Sequence, residues 1–65
     1  MSLQYDEISS PRLQDGKEAN PGDRIRHDGQ EVTYMGASRL EWTKIVVASD
    51  EGDLHLAHPI DCHTV

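Results

Sequence analysis

Asp28-Gly29 stands between two short runs in which apolar and polar residues alternate, and this constrains the fold more tightly than any other feature of the sequence. A two-residue hairpin loop of type I′ needs positive φ at both central positions, and Asp-Gly supplies it at little steric cost. Before the pair, "DRIRH" carries Ile25 among charged neighbours; after it, "EVTYM" places Val32 and Tyr34 on one face and Glu31, Thr33 and Met35 on the other. A period of 2 is the mark of a half-buried strand. The pattern predicts a β-hairpin over residues 23–27 and 31–35, entered through the turn Asn20-Pro21-Gly22, where proline presets φ and glycine accepts positive φ.

The remainder continues in the same style. Gly36 either ends the second strand or puts a bulge in it, and "ASRLEW" is too short for a helix and reads as a loop. "WTKIVVAS" is β-branched and bounded by turns, with Ile45 and Val47 on one face and Val46 and Ala48 on the other. "DEGD" is the next turn. "LHLAH" alternates, with Leu54 and Leu56 expected inward and His55 outward. Pro59 lacks a donor and should stop that strand, leaving "IDCHTV" as a short turn followed by a terminal edge strand. Four to five short strands at such spacing predict a mainly β fold, either a small SH3-like barrel or a curled antiparallel sheet. The expected core is Ile25, Val32, Tyr34, Leu40, Ile45, Val47, Leu54, Leu56 and Ile60, with Trp42 added.

The first twenty residues, "MSLQYDEISSPRLQDGKEAN", sustain neither strand nor helix periodicity. Their scattered Leu3, Tyr5, Ile8 and Leu13 offer little apolar surface against the entropy of ordering, so residues 1–20 are expected to form a flexible arm and residues 21–65 the folded domain. A single cysteine, Cys62, precludes an internal disulfide and fits a reducing compartment. No basic region followed by an apolar run opens the chain and no stretch reaches membrane-spanning length, so a cytoplasmic protein without a membrane segment is expected.

The formal charge is −6, from twelve acidic and six basic residues spread along the chain. Such a field repels phosphate backbones and favours a basic protein surface. An acidic surface poor in lysine also suits a salt-rich cytoplasm.

"PGDRIRHDGQEVTYMGAS" followed by "KIVVASDEGDLHLAHPID" resembles the small SH3-like barrels, including the KOW-type modules of transcription and translation factors, over residues 21–65. The resemblance implies a small barrel of short strands and a role as an adaptor. The glycine-rich centre of the KOW motif is missing, and acids largely replace the basic residues that would contact nucleic acid.

The main functional expectation is a non-enzymatic protein-interaction module, adaptor or regulatory, that binds a protein partner or itself. Its partner surface would comprise Tyr34, Arg39, Trp42, Asp50, Glu51 and Asp53, with residues 60–65 as an edge for strand pairing between copies. In so small a core, Tyr34 and Trp42 are more often packing residues than a recognition platform. The acidic surface could also occupy the basic groove of a nucleic-acid enzyme. One alternative is an RNA- or DNA-binding module of KOW or Sm-like type using Arg24, Arg26 and Lys44. Another is a zinc-stabilised domain built on His55, His58, Cys62 and His63, whose residue types suit zinc while their spacing does not follow the usual paired-ligand pattern. Otherwise no cofactor is expected, and catalysis by Cys62 is disfavoured because strand neighbours such as His63 face opposite sides.

Overall fold

A computed structural model describes residues 3–7, 12–41 and 43–65. The fold is mainly β, a single antiparallel sheet of six strands: β1 (Tyr5–Asp6), β2 (Arg24–His27), β3 (Gln30–Ser38), β4 (Ile45–Ala48), β5 (Leu54–Ala57) and β6 (Cys62–Thr64). A 3-10 turn, Pro59–Asp61, joins β5 to β6, and there is no α-helix among the described residues. None of them forms a helix long and apolar enough to cross a membrane.

The hairpin forms where the Asp28-Gly29 pair demands it. Both residues have positive φ, 53° and 78°, and His27 pairs with Gln30 across them. Ile25 lies opposite Val32, so both point to the same face. Beyond the hairpin β3 does not stop at Gly36. Its register against β4 shifts between Tyr34 and Gly36, so Met35 is the extra residue of a bulge and the strand runs on to Ser38. The continuation gives β1 its partner: Tyr5 pairs with Ser38 and Asp6 with Ala37.

Spatial order is β5-β4-β3-β2-β6, with β1 beside the far end of β3. The last strand therefore returns to the first strand of the meander, pairing Ile25 with Thr64 and His27 with Cys62. The sheet does not close: β5 and β6 end its main path, and β1 pairs only with β3 among the described residues. Leu13, Ala19, Ile25, Val32, Tyr34, Ile45, Val47, Ala57 and Cys62 form one buried cluster on the concave face. Val46 and Ala48, on the other face of β4, are buried as well.

Several expectations are corrected. Leu40, in the β3–β4 connection, is 74% exposed, and Ile60, in the 3-10 turn, is 69% exposed, so neither builds the core. Leu54 and Leu56 are half-buried and lie opposite Ala48 and Val46; it is His55 that shares a face with Val47. The alternation of "LHLAH" does not fix which face is inward, because β4 is apolar and buried on both sides. The boundary at residue 20 does not separate core from arm: β1 joins the sheet, Leu13 and Ala19 are core residues, and Arg12 bridges to Glu18. The proposed core role of Trp42 lies outside the described residues.

Candidate functional site

The two edges of the sheet differ in a way that their sequences do not reveal. On β6, one side of the backbone faces β2. On the other side the Gln14 N–H donates to the Cys62 carbonyl oxygen at 2.8 Å, and the Thr64 N–H donates to the Asp15 carboxylate at 3.1 Å. The Thr64 hydroxyl donates to the same carboxylate oxygen. The Cys62 N–H is taken by the Pro59 carbonyl oxygen, closing the 3-10 turn. Asp15 in turn has its carboxyl held below the usual carboxylate range, chiefly by that Thr64 hydroxyl. The 13–17 loop is tied to itself by Leu13 N–H to the Lys17 carbonyl oxygen at 2.8 Å, which positions Asp15. Residues 60–65 are thus no open edge for another strand, because a segment of the same chain occupies it.

On β5 the situation is reversed. The Ser49 N–H donates to the Asp53 carbonyl oxygen at 2.9 Å, and the register continues Val47 to His55 and Ile45 to Ala57. Hydrogen-bonded pairs alternate in an antiparallel ladder, so the N–H and C=O groups of Leu54 and Leu56 point away from β4. Among the described residues no other segment hydrogen-bonds to them. Beside this edge runs an open groove of about 310 Å³, walled by His55 and Leu56 on one side and by His27, Asp28 and Gln30 on the other, with Val32 and Val47 among its lining residues. It lies between the β2–β3 turn and β5, and no β6 residue lines it.

The expected partner surface does not hold together. Tyr34 is 0% exposed and fills the centre of the core, so it offers no contact surface. Burial raises its hydroxyl pKa. Arg39 is at the surface but engaged: its guanidinium holds Asp6 at 2.8 and 2.9 Å, and its N–H donates to the Gln4 carbonyl oxygen, pinning β1. Trp42 lies outside the described residues. Asp50, Glu51 and Asp53 occupy the β4–β5 turn, separated from Arg39 by the length of β4, roughly 13 Å at strand rise. Asp50 is engaged with Arg24, whereas no ion pair involves Glu51 or Asp53 among the described residues.

The basic stripe separates similarly. Arg24 donates to Asp50 at 2.8 Å, Glu31 at 3.3 Å and Thr33 at 3.0 Å, so its fork is filled by protein carboxylates. Those two carboxylates raise its pKa. Arg26 is exposed opposite Glu31 and His63. Lys44 precedes β4, at the end remote from Arg24, whose partner Thr33 pairs with Ala48.

The His/Cys set does not converge either. Cys62 is buried on the core face with Sγ donating to the His58 carbonyl oxygen at 3.4 Å, and burial, with help from Asp61, pushes its thiol up to about 11. His63, the next residue, projects to the opposite face beside Arg26. His55 lies on the other edge strand. Among the described residues no group of three or more His, Cys, Asp or Glu side chains could hold a metal ion.

The sequence does not reveal this groove, because its walls come from residues 27–30 and 55–56, which nothing in it links. The one available signal was His55 itself, a polar residue in an otherwise apolar strand. No family model, curated protein or solved structure matches this chain.

Proposed function

We propose that this chain is a non-enzymatic protein-interaction module, adaptor or regulatory, that presents an acidic surface to a protein partner. The observation that carries the reading is the contrast between the edges: β6 is occupied by the chain's own 13–17 loop, while the outer side of β5 has no partner strand among the described residues and lies beside an open groove. Unpaired edges are normally blunted because they recruit other chains. Here one edge is blunted and the other is not. A meander whose final strand returns to its first is also the wrapping a small barrel needs, and supports the likeness to SH3-like adaptors.

The nucleic-acid reading loses support from the same geometry, since Arg24 is neutralised by Asp50 and Glu31 and stands apart from Lys44. The test is a nuclease-treated pull-down with the full chain, followed by titration of the captured partner and of RNA and DNA probes at several salt concentrations. Saturable binding to a protein, with no measurable binding to the probes, is expected. Probe binding whose affinity falls steeply with salt, as counterion release demands, would overturn the proposal.

A further inference from the structure

We propose that the β5 edge accepts an extended segment of a basic partner as an added strand, seated beside the groove between β5 and the β2–β3 turn; this rests on the interaction-module reading above and names its partner class. The backbone supplies the attachment. Leu54 and Leu56 each turn an N–H and a C=O outward, a pattern that an antiparallel strand satisfies with four main-chain hydrogen bonds. The groove supplies side-chain selectivity. A residue of the added strand lying beside His55 shares the face of Val47 and points toward Val47 and Val32, so an apolar side chain fits there.

Charge decides the occupant. Asp28 stands on the opposite wall of the groove, and Glu51 and Asp53 stand at the start of β5, none with an ion pair among the described residues. Lysine or arginine flanking the apolar position would meet those carboxylates. A second copy of this chain fits poorly. It brings its own −6 charge. Two antiparallel β5 strands bonded through Leu54 and Leu56 would also set His55 against its own counterpart at the centre. Neither feature complements the edge.

The experiment titrates the full, isotope-labelled chain with a short synthetic peptide of alternating lysine and valine, and with a counterpart carrying glutamate for lysine. The lysine peptide is expected to shift the signals of Val32, Val47 and His55 and to slow amide exchange at Leu54 and Leu56 by about tenfold or more at saturation. The glutamate peptide should leave all of them unmoved. Leu56→Pro removes an outward donor that β4 does not use, and should weaken binding by about fivefold to tenfold, the value of one such hydrogen bond. Because proline could also loosen the strand, a second variant joins Asp28→Asn to Asp53→Asn; asparagine tolerates the positive φ of position 28, and the loss of two charges should weaken binding by at least fivefold. Equal response to both peptides, protection appearing away from β5, or self-association through β5 in sedimentation would each overturn the inference. A native partner whose footprint avoids β5 overturns it too and leaves the interaction-module reading standing. A partner that proves to be nucleic acid overturns both.

Discussion

Cys62 shows how much a single side chain is governed by its position. On β6 it lies opposite His27 on the core face, fully buried, and its thiol hydrogen is directed to the His58 carbonyl oxygen. Burial disfavours the thiolate, and Asp61 adds like charge, which is why ionisation is delayed to about 11. At pH 8 about one thiol in a thousand is then ionised, against roughly a quarter for a free cysteine. Thiol reagents at pH 8 should therefore label the native chain at least a hundredfold more slowly than the urea-unfolded chain; equal rates by mass spectrometry would contradict the burial. The pH dependence has a definite sign. An unfolded thiol loses its proton near 8.5, whereas the native one keeps it to about 11, so between these values the native state binds more protons. Stability is unaffected by this group below about pH 8 and falls as pH rises toward 11, with a slope of at most about 1.4 kcal/mol per unit. Chemical denaturation across that range should show the fall, and Cys62→Ala should remove it.

Among the elements, β3 does the most, because the bulge at Met35 lets one strand serve two partners along the same side. Its first half pairs with β2 and its last residues with β1. Gly36 makes the second pairing physically possible: a Cβ there would collide with the Asp6 carbonyl oxygen and stand 2.8 Å from the Tyr5 ring. Gly36→Ala should therefore cost about 1–3 kcal/mol, the usual penalty for overpacking, and should expel β1 and leave the β2–β3 hairpin intact. Urea unfolding and chemical-shift changes confined to residues 4–6 and 36–39 would check both parts. The edge strand β6 makes a second test. Asp15→Ala removes the acceptor of the Thr64 N–H, so amide exchange at Thr64 should quicken by about tenfold with little change at His27. Since the native Asp15 carboxyl lies below its ordinary value, its contribution is present above that value and is lost as pH falls through the native one; Thr64 protection should fade on acidification and persist at neutral pH. The hairpin was legible in sequence because Asp28-Gly29 fixes its turn chemically and because Val32 and Tyr34 have polar neighbours, so their shared face is unambiguous. In β4, by contrast, Val46 and Val47 are both buried; a partner strand set against it can take either parity, and the sequence contains no rule that sends Leu56 to Val46 and His55 to Val47. The candidate site was illegible for a related reason: an unpaired edge is defined by which other segments fail to reach it, and the segment that reaches β6 in its place is a polar loop with one leucine.

For the molecule as a whole, that loop decides whether the fold stands. A domain of this size has roughly 3–10 kcal/mol of stability to lose. Leu13 is 3% exposed within the core cluster, and burying such a side chain contributes about 1.5–3 kcal/mol. The Gln14 N–H bond to the Cys62 carbonyl oxygen adds about 0.5–1.5 kcal/mol, and if it is removed the carbonyl is left without this partner. Ala19, 1% exposed, closes the same side of the core. Taken together, the Leu13 and Gln14 contributions reach about 2–4.5 kcal/mol, a large share of that stability, so residues 13–19 are part of the folded core. Leu13→Ala alone should lower stability by about 2–4 kcal/mol in urea titration. A chain cut to residues 21–65 should lose cooperative thermal unfolding and the dispersed amide spectrum of a packed sheet, although it keeps β2 to β6 in full. A dispersed spectrum and a sharp transition from that fragment would show that the concave face can be closed without Leu13 and Ala19, and that the occupied β6 edge is a local tether and not part of the core.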